Sequence, residues 1–436
     1  MTENAGIKTD HNLLRTFEEH ESAVRSYGRN FPVVVDRARG AQIEASDGRR
    51  FLDFLTGCSS LNYGHNPEPL KRALLEYIER DGVAHSLDLY SVAKQQFLLA
   101  FQREILEPRK LKYRVQFPGP TGANAVEAAL KLARKVTGRE NIVAFTNGFH
   151  GVTLGALACT GNEHHRGGAG IALQGVTRLP YAGYLGADFD SLAYLERVLG
   201  DPSSGVDKPA AVIIETVQGE GGLNCASHDW LRRIARIARQ HGALLIVDDI
   251  QAGVGRTGTF FSFEQAGIRP DIVTLAKSIS GYGLPMSLVL IAPEHDEWLP
   301  GEHNGTFRGN CHAFVTARAA IEHYWQDPQF TQQIAKNAAY LESGLRAIAD
   351  RHRALKPRLK GRGLMRGIQM ESGDRAAAIT AAAFRDGLII ETSGPYSEVV
   401  KLLPPINIAR EELEQGLSIL DRAMAVVAKS DSRAAA

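Results

Sequence analysis

Two side chains could do chemistry together: the carboxylate of Asp248 and the amine of Lys277. Each follows a short apolar run. Residues 243–247 read Ala-Leu-Leu-Ile-Val and lead into Asp248-Asp249; residues 271–276 read Asp-Ile-Val-Thr-Leu-Ala and lead into Lys277. Short apolar runs with turn signals at both ends suit buried parallel strands. In open α/β sheets, ligands sit beyond the carboxyl ends of such strands. An amine and a carboxylate delivered to one sheet edge suit pyridoxal phosphate. The lysine forms a Schiff base with its aldehyde, and the carboxylate keeps the pyridine nitrogen protonated. A charged residue after a strand is, taken singly, also an ordinary solvated loop start, so the surrounding residues must decide.

A second feature is Gly119-Pro120-Thr121-Gly122-Ala123-Asn124, between a strand-like run and the helical pattern of residues 125–136. Glycines at a helix start offer free backbone N–H groups and the positive end of the helix dipole, which suits a phosphate. No Gly-Lys-Ser/Thr follows, so the turn is not a P-loop. Gly253-Val254-Gly255-Arg256-Thr257-Gly258 matches the dinucleotide-binding string, but residues 248–252 separate it from the strand. The aromatic, β-branched residues 259–263 after it do not open a helix, so a turn-rich loop is expected.

The elements that must position these groups alternate. From residue 113 to about 291, strand-like runs alternate with helical patterns, which predicts an α/β fold with a mainly parallel sheet. Residues 40–54 alternate around Ser46-Asp47-Gly48, a hairpin signal. Residues 13–27, 69–81 and 92–106 read as helices. Beyond residue 312 come a long helical stretch to 350, strand-like pieces at 364–370, 388–391 and 399–403, and a final helix over 411–428. The expected organisation is a large domain over 61–311 and a smaller α+β domain over 312–436. An N-terminal segment, 1–60, packs with the latter.

Net charge of +1 on 436 residues argues against a nucleic acid or an anionic membrane as partner. Cys58, Cys159, Cys225 and Cys311 are widely spaced, as reduced thiols of a cytoplasmic protein would be. Residues 1–10 are polar and lack the apolar core of a secretory leader. No apolar run approaches the ~18–20 residues that span a bilayer. The last residues, 429–436, are expected to fray. His150, His164, His165 and His303 have no familiar metal-ligand spacing, and no metal is expected.

Five ordered segments together resemble the class III, ω-amino-acid type of aminotransferase, of pyridoxal-phosphate fold type I. They are residues 121–131, Asn147-Gly148-Phe149-His150-Gly151, residues 215–222, residues 248–258, and Lys277 with residues 303–310. The resemblance covers roughly residues 30 to 425. It implies a seven-stranded-type sheet flanked by helices, with pyridoxal 5′-phosphate as cofactor. It makes Lys277 the Schiff-base lysine and Asp248 the partner of the pyridine nitrogen. Gln251 would touch the ring hydroxyl, with Ile250 on one ring face and Phe149 on the other. Gly122 and Ala123 would offer N–H groups to the phosphate. Thr121, His150 and Glu215 fall within the same cofactor-binding segments. Thr306 matches a threonine that reaches the neighbouring subunit's phosphate. A homodimer with shared active sites follows, and pairing of dimers into tetramers is left open.

Within that family, residues 116–139, 146–162, 165–170 and 303–310 resemble the diaminobutyrate–2-oxoglutarate subgroup. Its members exchange an amino group between glutamate and aspartate 4-semialdehyde. They feed ectoine synthesis, or siderophore and peptide-antibiotic building blocks. Two positions depart from the wider family. Val152 stands where an arginine commonly grips a carboxylate. Lys401 replaces the arginine that usually pairs with the glutamate matching Glu220. Lysine cannot make arginine's planar two-point contact, so carboxylate recognition must be rearranged. Arg308, where glycine is usual, is either the substitute or an intersubunit ion-pair partner. Glu220 paired with Lys401 could open or close to suit each substrate. Alternatives are another ω-aminotransferase acting on ornithine, 4-aminobutyrate or a different diamine, an aminomutase, and an inactive scaffold.

Overall fold

A computed structural model describes residues 11–434 of the chain. Residues 1–10, where the absence of a leader was read, lie outside the described residues. So do 435 and 436. The final helix, Arg410–Ala434, runs past the frayed end expected from 429.

Seven strands form the central sheet, in the spatial order 114–116, 288–291, 272–275, 244–248, 211–214, 142–145 and 176–179. Leu244–Asp248 runs parallel to both neighbours, Ile272–Leu275 and Ala211–Ile214. Leu288–Ile291 is antiparallel to the strands beside it. The sheet is thus mainly parallel, as expected. Its central strands are buried on both faces, which explains their unbroken apolar runs. Helix Gly122–Thr137 packs its alanine- and leucine-rich side against this sheet.

Among the described residues, two four-stranded sheets and a two-stranded one, Val217–Gln218 with Asn224–Cys225, complete the fold. Arg358–Arg362, Met365–Gln369, Val399–Leu402 and Glu391–Ser393 form an antiparallel sheet. The hairpin expected at Ser46-Asp47-Gly48 joins Gln42–Ala45 to Arg50–Asp53, and Leu388–Ile389 adds to it in parallel. The single strand expected over 388–391 is therefore two short strands in two sheets, split at Ile390. The expected helix 92–106 is α-helical only to Ala100 and continues as a π-helix over Phe101–Leu106. The long helical stretch breaks between Tyr324 and Gln329, just where Pro328 forbids continuation.

The string 253–258 is a turn-rich loop, as expected, and its arginine is a clamp. Arg256 is fully buried. Its guanidinium donates to Asn62 Oδ1, Thr56 Oγ1 and the carbonyls of Leu364 and Pro404. One side chain thereby ties the loop after the central strand to the N-terminal segment and the C-terminal sheet. Burial without a carboxylate partner in contact pushes its pKa down to about 9.

Candidate active site

The carboxyl ends of the two adjacent parallel strands open into a cavity of about 440 Å³. Asp248 ends one strand and is 4% exposed. Lys277 lies two residues past the other and starts a short 3₁₀ turn, Lys277–Ser280. Its φ of +55° is left-handed, a conformation costing a non-glycine residue roughly 1 kcal/mol or more. Both side chains line the cavity.

Asp248 is held on both oxygens. Oδ2 pairs with His150 Nδ1 at 2.7 Å. Oδ1 accepts from Thr274 Oγ1 at 3.2 Å and from the backbone N–H of Ile250 at 3.3 Å. Burial alone would push the His150 pKa down; the hydrogen bond and charge of Asp248 outweigh it and raise it. The imidazole behind the carboxylate therefore holds its proton more tightly than a free histidine does. Glu215 fixes the neighbouring turn, accepting from the N–H groups of Phe149 (2.9 Å) and Gly219 (3.3 Å). Burial, with the Asp248 charge adding to it, raises its pKa to about 7, against the opposing pull of His150.

The start of helix Gly122–Thr137 also lines the cavity. Thr121 caps it by accepting from Asn124 N, and the Asn124 side chain answers to Thr121 N. This capping box leaves Gly122 and Ala123 as the first two helical residues, whose N–H groups have no intrahelical acceptor. A Cβ on Gly122 would come within 3.0 Å of Ile250 Cδ1, so glycine is what lets Ile250 lie over this cradle. Thr121, Gly122, Ala123, Phe149, Ile250 and Gln251 all line the cavity. Gln251 Nε2 donates to Glu220 Oε1 at 3.0 Å, while its buried Oε1 has no partner.

These features fit pyridoxal phosphate. The helix start suits the phosphate, and Phe149 and Ile250 suit two faces of a flat ring. The buried carboxylate suits a protonated ring nitrogen, and the unpartnered Gln251 oxygen suits a ring hydroxyl.

Three expected residues do not line this cavity. Thr306 is exposed on the 3₁₀ turn Thr306–Gly309, its carbonyl 2.7 Å from His85 Nε2. Arg308 pairs with Asp88 at 2.6 Å and with Asn304. Lys401 is fully buried behind Glu220, at 2.9 Å from its Oε1. Val152 does line the cavity, presenting an apolar surface where arginine is common in the family.

Sequence reasoning missed what surrounds Lys401. Its Nζ also lies 2.8 Å from Glu391 Oε1. Glu391 and Lys401 face each other across antiparallel strands. Tyr27 Oη donates to Glu391 Oε2 at 3.0 Å, and Cys58 Sγ sits 2.7 Å from that hydroxyl. Burial opposes charging Lys401, but its two carboxylates outweigh this and raise its pKa. Glu220 is a third exposed; burial raises its pKa, yet Lys401 and then Lys277 prevail and hold it down at about 2. Glu391 opens one strand and Lys401 lies within the next, and no local sequence signal pairs them.

Among known proteins, the family model for class-III aminotransferases matches residues 23–424. A diaminobutyrate–2-oxoglutarate transaminase of Vibrio parahaemolyticus is 58% identical over 412 residues, covering 94% of this chain and 97% of the relative. That of Vibrio cholerae is 59% identical over 408 residues, covering 94% and 99%. A crystal structure of ornithine aminotransferase from Toxoplasma gondii, with pyridoxal phosphate partly occupying its active site, superposes with a TM-score of 0.84. It is 25% identical and covers 97% of this chain and 96% of its own. The chain belongs to the class III aminotransferase family.

Proposed function

We propose that this chain transfers an amino group reversibly between L-glutamate and aspartate 4-semialdehyde, giving L-2,4-diaminobutyrate and 2-oxoglutarate. Family membership supports transamination with pyridoxal 5′-phosphate. Identity of 58–59% with diaminobutyrate–2-oxoglutarate transaminases over nearly the whole chain carries the substrate pair.

Bound in the cavity, the cofactor supplies an aldehyde that condenses with amines and a ring that accepts electrons. Lys277 Nζ would hold it covalently and, once freed, take the proton from the substrate's amine-bearing carbon and return it. Asp248, backed by His150, would keep the ring nitrogen protonated. Gly122 and Ala123, capped by Thr121, would bind the phosphate. Ile250 and Phe149 would fix the ring's tilt, Glu215 the turn that carries Phe149, and Gln251 the ring hydroxyl. Glu220 resting on Lys401 neutralises that ammonium and suits a substrate whose reacting end carries no carboxylate. Glu220 turned away offers Lys401 to the carboxylate beside glutamate's amine.

We infer a homodimer, with Thr306 reaching the phosphate of the other subunit and dimers free to pair. Leu89, Tyr90 and Phe307 are large, exposed and apolar near the Thr306 turn, a face suited to a second copy. In that assembly Arg308 is offered to the partner's site. The division at residues 60 and 311, a cytoplasmic location and small-molecule partners without nucleic acid or membrane belong to the same proposal. Among the described residues, no helix is long and apolar enough to cross a membrane.

A donor and acceptor screen with product identification tests the reading. L-2,4-Diaminobutyrate formed from L-glutamate and aspartate 4-semialdehyde is expected. Preference for ornithine or 4-aminobutyrate as donor, or turnover without an external oxo acid, would overturn it.

A further inference from the structure

Lys401 is 0% exposed and carries two carboxylates, held in different ways. Glu391 is 6% exposed and pinned at both ends of its carboxylate. Oε1 meets Lys401 at 2.8 Å, and Oε2 accepts from Tyr27 Oη at 3.0 Å, with Cys58 Sγ 3.6 Å away. Its backbone is locked opposite Lys401 in the antiparallel sheet.

Glu220 lies on a turn, not in a strand. The hydrogen bonds to its side chain, from Lys401 and Gln251, both fall on the single oxygen Oε1, while its backbone carbonyl accepts from Gly394 N–H. It borders the central cavity on one side. On the other it borders a second, polar cavity of about 410 Å³, lined also by Asn147, His164, His165 and Tyr396. That second cavity gives the Glu220 side chain room to turn into a solvated, polar space.

A buried ammonium that loses its only anion is strongly destabilised. With Glu220 as sole partner, opening would expose Lys401 to that penalty before any substrate carboxylate arrived. A second, immobile anion removes it. We propose that Glu391 is a positioning residue, the fixed counter-ion that keeps Lys401 compensated while Glu220 exchanges with a substrate carboxylate. The groups facing Glu391 are Lys401, Glu220, Tyr27 and Cys58, and only Glu220 among them borders both cavities. This inference rests on the reading of Glu220 as a movable partner of Lys401. Under it, Glu391→Gln leaves Glu220 as the sole anion and locks it on Lys401.

The experiment measures the two half-reactions separately on cofactor-loaded enzyme, and calorimetric binding of glutarate, a dicarboxylate without an amine. Glu391→Gln is expected to slow transfer from L-glutamate about tenfold more than transfer from L-2,4-diaminobutyrate, and to weaken glutarate binding by a similar factor. Glu391→Asp, which keeps the charge, should recover most of both. Equal slowing of the two half-reactions, or unchanged glutarate binding, would overturn the proposal. Should Glu391→Gln fail to fold, Tyr27→Phe reads the same contrast: a selective loss of roughly threefold is expected, and an equal loss overturns it. Glu220→Gln, run alongside, separates the layers. If it acts selectively while Glu391→Gln does not, only the role of Glu391 falls. If Glu220→Gln slows both halves equally, the movable-partner reading falls first.

Discussion

Around Asp248, the charged groups come from one sheet edge. Asp248 and Thr274 belong to neighbouring strands of the large sheet, His150 follows a third strand of that sheet, and every oxygen of the carboxylate is tied down. Around Lys401, the groups come from four distant stretches: Tyr27, Cys58, Glu220 and the strand pair 391/401. The first cluster pairs one carboxylate with one imidazole and is closed. The second gives one ammonium two anions, of which one is loosely held. A group that must keep one charge state through every turnover suits the first construction. A group that must accept different partners suits the second.

The largest test of this contrast is Asp248→Asn. A neutral amide cannot hold a protonated ring nitrogen, so activity should fall by about 10³-fold, measured as kcat/KM, with the circular dichroism spectrum retained. Activity within a few-fold of wild type would remove the closed cluster's assigned role. Glu220→Gln should act on the open cluster selectively. Its two half-reactions should change by factors differing about tenfold, read in single-turnover experiments.

His150→Gln sharpens the comparison further. It keeps a hydrogen-bond donor near Asp248 but loses the titratable ring, so a decrease of roughly tenfold in kcat is expected, with weaker cofactor retention on dialysis. An unchanged kcat would make the imidazole a packing group only.

The smallest effect is on stability against acid. Glu220 has its pKa held below the ordinary glutamate value, at about 2. Its contribution is present above the unfolded value of about 4.5 and is lost as pH falls through 2. Thermal melts across that range should show a shallower acid decline for Glu220→Gln than for wild type. Identical slopes would mean that Lys401 gains nothing measurable from this partner. Glu215 has the opposite sign. With its pKa raised to about 7, it favours folding fully below about 4.5 and loses that contribution as pH rises through 7.

The cavity's sheet edge was legible in the sequence because each signal is local, whereas the contact of His150 with Asp248 spans 98 residues. Asp248 and Lys277 terminate apolar runs, and the glycine turn at 119–124 opens a helix. Buried parallel strands announce themselves by composition, and their carboxyl ends are where ligands lie. The pairing of Glu220 with Lys401 was legible only through the family resemblance, since 181 residues separate them. Glu391 was not legible at all. Its run, Leu-Ile-Ile-Glu, reads as one strand, yet Ile390 divides it between two sheets, and only the register with Lys401 reveals the charge pair. Tyr27 was read as the end of a helix over 13–27; it begins a separate four-residue turn, Tyr27–Asn30, which brings its hydroxyl to Glu391. Arg308 drew attention as an unusual residue type, and within the chain it meets Asp88.

Reduction of the cofactor-loaded enzyme with borohydride, followed by peptide mass mapping, tests the central claim most directly. The pyridoxyl label should be found on the ε-nitrogen of Lys277 and on no other lysine. A label on a different residue, or fully loaded protein that cannot be labelled, would contradict the whole assignment of the cavity.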